Sequence, residues 1–469
     1  MALLCAIVLS FLTVRSLADD LSVGFSPYDN DFIEPSYILG NNWNTTTVVA
    51  QEAIVQWADS LAAQGPWSVT TSKAFLAPSN NTHDYLSWAP YWWPNCSGVG
   101  NTTELTPQQI WVTCPYVPRD GEFNPDFRTV NNTGAFTAMS DAIFSNALAW
   151  AINGSSVYSA NVANWINTWF LAPDTYMSPN LNYAQVVRGP GANTGTHTGV
   201  LDLKCMTKVV NAVLVLRTGK APEWTDTIDT GLVNWTTTYI GWLTSNKIAL
   251  EEAASANNHG TFYYNQLAAL QILVNDLAGA NATLHKYFST LYQHQVLASG
   301  EQPFEAERTR PFHYRSYNLA SMITNARLAA HIGFNAWNLT TSTGGSIKAA
   351  IDFTMTVPPK DEPASELFPS VGAGAAVYGD PQGKYAAFLS RSQEDYPSQP
   401  WFFWDQPLSD SGWVRTHATS SGTGTAAAPT SSAGTSKNAG ARTRVLLDTP
   451  GELLLGVAIM ILIHIFLFA

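Results

Sequence analysis

Residues 200–219 read VLDLKCMTKVVNAVLVLRTG, with apolar side chains at steps of three and four residues and a glycine at the end. This spacing places the apolar residues on one face of an α-helix, and a terminal glycine is a common helix stop signal. The pattern recurs in seven further segments: 47–65, 135–153, 157–171, 224–245, 262–279, 282–300 and 317–333. Successive amphipathic helices joined by long polar loops, with little alternating strand pattern, predict an all-α fold of stacked helical hairpins.

A helical toroid, which is an incomplete (α/α) barrel with long loops, satisfies this pattern. An open solenoid is the alternative, although the chain shows no fixed repeat of the kind that solenoid families show. The 469 residues are 46% hydrophobic, which supplies enough apolar material for one large core or two modest ones. Charged residues make up only 12% of the chain. This composition suits an extracellular protein that faces sugars.

The two ends of the chain predict export and tethering. Residues 1–18 combine an apolar run with small residues at Ser16 and Ala18, which is typical of a cleaved signal peptide and too short for a membrane span. We expect one catalytic domain over residues 19–407, followed by a Ser/Thr/Gly/Ala-rich stalk over 408–440. Residues 441–469 match a GPI-attachment signal, with a C-terminal transmembrane tail as the alternative. The chain is therefore expected outside the cell, tethered to the cell surface or wall.

Sequons and cysteines support the same compartment. Asn-x-Ser/Thr sequons predict surface glycosylation and begin at Asn44, Asn80, Asn95, Asn101, Asn131, Asn153, Asn234, Asn281 and Asn338. Cys5 leaves with the signal peptide, and we expect Cys96 and Cys114 to form a disulfide in a region rich in proline and glycine. Cys205 lies in a helix-like pattern, where a lone thiol behaves as a small buried hydrophobe.

The formal net charge of −12 argues against nucleic acid as a partner, because phosphate binding needs a basic surface. An acidic substrate would also be repelled at long range. A polyuronate could be bound only where a local cluster of cations overcomes that field, and residues 308–315 form the dense cluster of arginines in this chain. The spacing of histidines and cysteines resembles no metal site, and no cofactor is expected.

Two loop segments are rich in groups that bind sugars. Residues 82–94 pack large aromatics between prolines, so Tyr91 and Trp92 can form a wall on which a pyranose stacks, or can simply pack in the core. Residues 178–185 carry Asn182, Tyr183 and Gln185. These polar groups can order sugar hydroxyls, or can act locally as turn residues.

Two further segments carry groups able to move protons. In residues 251–263, Asn258, His259 and Tyr263 arrive together at a predicted helix start, where Asn257 is suited to capping the helix. A histidine on its own is more often structural, but these neighbours raise the functional interpretation of His259.

Residues 302–319 contain three arginines, two glutamates, a histidine and two tyrosines. The aromatics interleave with the charges, which fits a solvated charge run poorly. The residues of interest in this segment are Arg308, Arg310, His313 and Tyr314.

In this order, the motifs PYWWP (90–94), NLNYAQ (180–185), NNHGTFY (257–263) and ERTRPFHYRSYNL (307–319) resemble the alginate lyase domain. Bacterial alginate lyases and related fungal glucuronan-type lyases share this domain, and the resemblance covers roughly residues 43–338. It implies a helical toroid with an acidic polysaccharide lying along a central groove.

The resemblance also implies roles for single residues. Asn258 and His259 match the catalytic Asn-His pair of the family, and Tyr314 matches its catalytic tyrosine. Either Arg308 or Arg310 corresponds to the catalytic arginine, and we favour Arg308 because Arg310 precedes a proline-bent segment. Residues expected to bind the substrate are Tyr91, Trp92, Asn182, Tyr183, Gln185, Tyr263, Arg310 and His313.

This set suits β-elimination of a 4-O-linked uronide. Asn258 and Arg308 can neutralise the uronate carboxylate and stabilise the enolate-like charge that develops when C5 loses its proton. Tyr314 is expected to act as the acid, with a role as base left open, and His259 as the base for one C5 configuration. A nearby arginine can lower the pKa of the tyrosine.

Two alternatives remain at this point. A glycoside hydrolase would use paired carboxylates, for which Glu305, Glu307, Asp84 and Asp120 are available. A non-catalytic, cell-surface carbohydrate-binding protein would not need His259 or Tyr314.

Overall fold

Helices form nearly all the regular structure of the described chain, as the periodicity predicts. The computed structural model describes residues 32–40, 43, 47–100 and 104–405. The predicted signal peptide, stalk and C-terminal tail lie outside these residues, as do the sequons at Asn44 and Asn101. The helices of the described ranges are α1 Pro35–Leu39, α2 Val48–Ala62, α3 Pro107–Thr113, α4 Asn132–Asn153, α5 Ser156–Ile166, α6 Met206–Gly219, α7 Asp226–Ser245, α8 Lys247–Ala253, α9 Asn258–Leu273, α10 Leu277–Ser289, α11 Tyr292–Gln295, α12 Pro303–Ala306, α13 Pro311–His331, α14 Ile347–Thr354, α15 Phe368–Tyr378 and α16 Lys384–Ser392.

Four long helices form the inner layer of the fold. Helix α4 packs against α6, α6 against α9, and α9 against α13. Each is buried around most of its circumference, as expected of helices that carry apolar or small residues on every face. Buried polar pairs fix the register of α9 and α13, since Thr261 donates a hydrogen bond to Asn318 Oδ1 at 2.8 Å. This register sets the start of α9 beside the start of α13.

Further helices surround the inner layer. Helices α2 and α5 pack against α4, while α7 and α10 pack against α9. Helix α15 packs against α13, and the short 3-10 helix Pro400–Phe403 contacts both α15 and α2, which brings the end of the described chain back to its beginning. This two-layer arrangement confirms the predicted helical toroid. No helix of the described residues is both long and apolar enough to span a bilayer.

The one sheet among the described residues is a short antiparallel hairpin. Strand β1 (Trp92–Pro94) pairs with β2 (Tyr116–Pro118), and Trp93 lies opposite Val117. The Cys96–Cys114 disulfide, with an S–S distance of 2.09 Å, joins the segment after β1 to the residue that ends α3. The Cys205 thiol is buried at the start of α6. The hairpin brings Tyr91 and Asp120, which flank its two strands, towards the inner helices.

Candidate active site

A cleft of about 250 Å³ lies where the inner helices begin. Thr133 is the second residue of α4, Asn258 and His259 are the first two residues of α9, and Tyr314 is the fourth residue of α13. Lys204, two residues ahead of α6, also lines the cleft. The N-termini of all four inner helices therefore converge on one cleft. The positive dipole ends of these helices favour an anion there, while the first N–H groups of α9 and α13 donate to Glu305 and Glu362.

The opposite wall of the cleft is aromatic. Tyr91 and Trp92, at the start of the β1 strand, line the cleft together with Phe123 and Phe127. Trp88 also touches the cleft, but it is largely buried and the Arg188 guanidinium lies 4.2 Å from its ring centroid. Residues 82–94 thus contain both side chains that pack in a core and side chains that face the cleft, the two alternatives that the sequence left open. Trp88 packs in a small core, while Tyr91 and Trp92 remain available to a ligand.

Asn258 is held by a buried glutamate. Its backbone N–H donates to Glu305 Oε1 at 2.7 Å and its Nδ2 donates to Glu305 Oε2 at 2.8 Å. Burial raises the pKa of Glu305, and the hydrogen bonds from Asn258 oppose that shift. The Asn258 Oδ1 atom is buried without a hydrogen-bond partner among the described residues. Glu305 therefore fixes the amide, which keeps one N–H and its Oδ1 for a ligand. Asn257 caps α9, as predicted, by accepting from the His259 N–H.

His259 is oriented by a second buried glutamate. Its Nδ1 lies 2.8 Å from Glu252 Oε1, and Glu252 is 0% exposed. The other carboxylate oxygen of Glu252 lies 2.6 Å from Nδ1 of His197. Burial raises the pKa of Glu252, but the two histidines outweigh it and leave that pKa below its ordinary value. The ionised carboxylate thus accepts a hydrogen bond from the protonated Nδ1 of His259. In the neutral ring Nε2 then carries no proton and can act as an acceptor.

Tyr314 lies between a tyrosine and an arginine. Its hydroxyl is 3.3 Å from the Tyr91 hydroxyl, and the Arg308 guanidinium carbon lies 3.7 Å from the centre of its ring. Burial, followed by the Tyr91 neighbour, raises the pKa of Tyr314 well above its ordinary value, and Arg308 offsets only part of this. We expected an arginine to lower that pKa, but desolvation is the larger effect. Tyr314 therefore keeps its proton in the free enzyme, which suits an acid.

Arg308 is locked by the loop that follows β2. Its Nη2 donates to Asp120 Oδ1 at 2.7 Å and its Nε donates to Asp120 Oδ2 at 3.2 Å. Arg310 does not line the cleft and instead occupies the N-cap position of α13, ahead of Pro311. The geometry thus favours Arg308 over Arg310 as the arginine of the site.

Several residues expected to bind substrate lie behind the cleft wall. Tyr263 is buried in the main core, where its hydroxyl donates to the Leu243 carbonyl at 2.9 Å. Tyr263 lies on nearly the same face of α9 as His259 but four residues further along the helix, a distance of roughly 6 Å, which places it in the helix layer behind the cleft. His313 is also buried and its Nδ1 lies 2.6 Å from Glu366 Oε2. Neither residue lines the cleft.

The 178–185 segment is divided in the same way. Gln185 lines the cleft in a left-handed backbone conformation, with φ of 49°, and its side chain bridges Asp202 and Thr198. A non-glycine residue in that conformation costs about 1 kcal/mol or more, so the hydrogen bonds must hold it there. Asn182 accepts a hydrogen bond from Trp242 at 2.8 Å, and Tyr183 packs against the small core around Trp88. These two residues support the segment rather than line the cleft.

The carboxylates considered for hydrolysis are not paired in the cleft. Glu305 and Asp120 are bound to Asn258 and Arg308, and Asp84 accepts from Ser79 at 2.7 Å. Glu307 is exposed and lies outside the cleft lining.

Asp202 is the one acidic residue among the described residues that line the cleft. It is buried and accepts hydrogen bonds from Tyr85, Ser87, Thr133 and Gln185. Asp202 is a single carboxylate whose oxygens already accept hydrogen bonds. Hydrolysis of a glycosidic bond requires a pair of carboxylates.

None of the residues that hold the reactive groups in place was predicted from the sequence to do so. Glu252 lies seven residues ahead of His259, a spacing of two helical turns that is visible but unspecific. His197 and Lys204 come from a different segment. His197, Glu252 and His259 also form the one His/Cys/Asp/Glu group of the described residues with ligand atoms close enough to hold a metal ion, all within 4.8 Å of one another.

A protein-family model matches the part of the chain that contains the cleft residues. The alginate lyase family model matches residues 68–363, a range that contains the hairpin, all four inner helices and every residue of the cleft. The chain belongs to the alginate lyase family. None of the curated proteins compared with the chain matches it.

One solved structure agrees with this membership. An alginate lyase from Bacteroides ovatus is 25% identical, with a TM-score of 0.69 over 79% of this chain and 96% of that one. Alginate lyase A1-III from Sphingomonas species A1 is 11% identical, with a TM-score of 0.43 over 76% of this chain and 92% of that one. A variant of A1-III complexed with a tetrasaccharide is 12% identical, with a TM-score of 0.40 over 70% of this chain and 80% of that one. Only the first likeness is close enough to support the fold.

The alginate lyase family member described here is a polysaccharide lyase with the helical toroid that its sequence predicts. Its cleft brings together Asn258, His259, Arg308 and Tyr314, which come from the start of α9 and from the segment around the start of α13. Tyr91, Trp92 and Gln185 line the same cleft.

Proposed function

We propose that this lyase is secreted, is tethered at the cell surface, and cleaves 4-O-linked polyuronates such as alginate or glucuronan by β-elimination. The observation that carries the proposal is the meeting of His259, Tyr314 and Arg308 in one cleft with an amide that is already oriented. Each reacting group of a uronide then has a protein group to act on it.

The first requirement is to bind the uronate carboxylate in a protein of net charge −12. Arg308 and Lys204 line the cleft, and four helix N-termini point at it. Inside the cleft these charges and dipoles act on an anion at short range, where they are screened less than the charges of the outer surface. Asn258 and Arg308 can then hydrogen bond the carboxylate as charge moves onto it from C5.

The second requirement is a base and an acid. His259 offers Nε2 as acceptor because Glu252 holds the Nδ1 proton, so Nε2 can take the C5 proton. Tyr314 is protonated and can donate to the glycosidic oxygen as the C4–O bond breaks. The Arg308 guanidinium, 3.7 Å from the centre of the Tyr314 ring, can stabilise the resulting phenolate. Tyr314 would act as base only on a substrate that first lowers its pKa, so His259 is the principal base of this proposal.

Export and tethering rest on the sequence. Six of the described sequon asparagines are exposed, as a glycan requires: Asn80, Asn95, Asn153, Asn234, Asn281 and Asn338. Asn131 is half-buried at the start of α4. The apolar C-terminal tail would be replaced by a lipid anchor near Asn438. Phospholipase release of the protein from cells tests the anchor, and continued retention in the detergent phase contradicts it.

Product chemistry tests the reaction. Elimination leaves a 4,5-unsaturated uronide at the new non-reducing end, which absorbs in the ultraviolet, whereas hydrolysis adds water and leaves none. We expect purified enzyme to raise this absorbance on at least one of polymannuronate, polyguluronate and glucuronan. New reducing ends without the absorbance would indicate a hydrolase. No new ends on any polyuronate, with retained binding, would indicate a carbohydrate-binding protein.

A further inference from the structure

One group of side chains near the cleft is only partly used by the proposed reaction. Glu252 on α8 lies between His197, which begins the 3-10 helix His197–Leu203, and His259 on α9. The nitrogen to oxygen distances are 2.6 Å and 2.8 Å. The elimination needs Glu252 to orient His259, but it gives no task to His197.

The three groups have the chemistry of a transition-metal site. Two imidazoles and one carboxylate are a common ligand set for Zn²⁺, which binds nitrogen and oxygen ligands at about 2.0–2.2 Å. The Glu252 carboxylate is buried and ionised, while the side chains of His197 and His259 are 35% and 17% exposed, so an ion can enter from solvent. The ligand atoms already lie within 4.8 Å of one another. Tetrahedral coordination at about 2.0–2.2 Å needs them roughly 3.4 Å apart, so side-chain movements of about 1 Å or less would complete the site.

We propose that His197, Glu252 and His259 form a binding site for Zn²⁺ or a similar transition-metal ion, and that the bound ion reversibly inhibits the lyase. The inhibition, unlike the binding, rests on the proposed role of His259 as base. The site has three protein ligands and an open side, so one or more waters would complete the coordination shell.

The inhibition follows from the two nitrogens of one ring. With the cleft ready for reaction, His259 carries its proton on Nδ1 and presents the lone pair of Nε2. An ion bound at Nδ1 takes that lone pair, so the proton of the neutral ring must reside on Nε2. Nε2 then has no lone pair to receive the C5 proton. The substrate can still bind, but elimination stops until the ion leaves.

Mg²⁺, which prefers oxygen ligands, should not compete for the site.

Calorimetric titration of the full chain with ZnCl₂ tests the site without reference to activity. The protein is prepared without a histidine tag. The test variants are His197→Ala and His197→Gln. The control is His294→Ala, which changes an exposed histidine away from the cleft. We expect one Zn²⁺ per chain, an affinity lowered by about tenfold or more in both His197 variants, and no change in His294→Ala. Removing a residue that only hydrogen bonds to a metal ligand lowers metal affinity about 10 to 100-fold. Removing a ligand itself should lower the affinity at least as much.

The outcomes separate the site from the proposed function. No Zn²⁺ binding, or equal binding by wild type and both His197 variants, overturns the site. Binding with this residue dependence, but with an elimination rate that Zn²⁺ does not lower and EDTA does not raise, overturns the inhibition. If the metal-free enzyme eliminates no polyuronate, the proposed function fails, and the calorimetry still decides whether the site exists.

Discussion

The Arg308 guanidinium lies 3.7 Å from the centre of the Tyr314 ring, and Asp120 holds it there through two hydrogen bonds. A cation over an aromatic face favours negative charge on the phenol oxygen, which is the charge that Tyr314 acquires when it acts as an acid. The same cation can neutralise the substrate carboxylate. Asp120 thus couples the hairpin loop to both electrostatic tasks, although it lies 188 residues from Arg308 in the chain.

Asp120→Ala should lower kcat/KM by about tenfold to a hundredfold, because a released guanidinium no longer occupies one position over Tyr314. Asp120→Glu should recover part of the loss. The matched control is Glu122→Ala on the same loop, which removes only an exposed ion pair with Arg119 and should leave the rate unchanged. Equal rates for Asp120→Ala and wild type would show that Arg308 needs no such support.

Two adjacent asparagines should separate catalysis from stability. Asn258→Ala removes an amide from the cleft and should lower kcat by about a hundredfold or more, as loss of a donor to developing charge does in other enzymes. Asn257→Ala removes the cap of α9 and should cost about 1 kcal/mol of stability with a much smaller effect on kcat. Steady-state kinetics and urea unfolding of both variants test this. The reverse pattern would assign catalysis to Asn257.

On the alkaline side of the pH–rate profile, kcat/KM should decline only at an unusually high pH. Tyr314 acts as an acid only while protonated, so activity falls as the pH rises through its pKa. Burial raises that pKa above the ordinary value of about 10, so kcat/KM should not decline below pH about 10 while the protein stays folded. Because Tyr91 is the next contributor to the raised pKa, Tyr91→Phe should move the decline to lower pH. A wild-type decline centred near neutral pH would exclude Tyr314 as the acid.

The end of the described chain should matter for stability. Asp405 accepts a hydrogen bond from Arg327 on α13, and both side chains are buried, at 7% and 6% exposure. Arg327→Met removes the positive charge beside this buried carboxylate and should cost about 3–5 kcal/mol in urea unfolding. Arg327→Met combined with Asp405→Leu should recover much of that loss. Lys348→Met, which breaks an exposed pair with Asp352, should cost less than about 1 kcal/mol.

The helices could be predicted wherever one face stays polar. Residues 224–245 were predicted as a helix, and α7 spans Asp226–Ser245. Boundaries failed where burial is complete. Asn257 was predicted as a helix cap and does begin α9, but residues 262–279 were predicted as one helix, whereas α9 ends at Leu273 and Asp276 caps the start of α10. A helix buried on all sides shows no amphipathic period by which its ends could be located.

In the site too, some residues could be predicted from the sequence and others could not. Asn258 and His259 are neighbours in sequence, and Arg308 lies six residues from Tyr314, so each pair leaves a local pattern. The residues that position them do not. Asp120 meets Arg308, and His197 meets Glu252, only because the inner helices converge, and a contact between distant segments leaves no periodicity in a single sequence. Tyr263 shows the converse error, since its proximity in sequence to His259 suggested a cleft position that the helix geometry does not provide.

The most direct test of the central claim compares Tyr314→Phe and His259→Ala with wild type by ultraviolet absorbance of unsaturated product. The panel contains polymannuronate, polyguluronate and glucuronan, with circular dichroism to show that the variants are folded. If Tyr314 is the acid and His259 the principal base, each variant should lose at least about a hundredfold in kcat on the best wild-type substrate. Full activity of both variants on every polyuronate that the wild type cleaves would contradict the account.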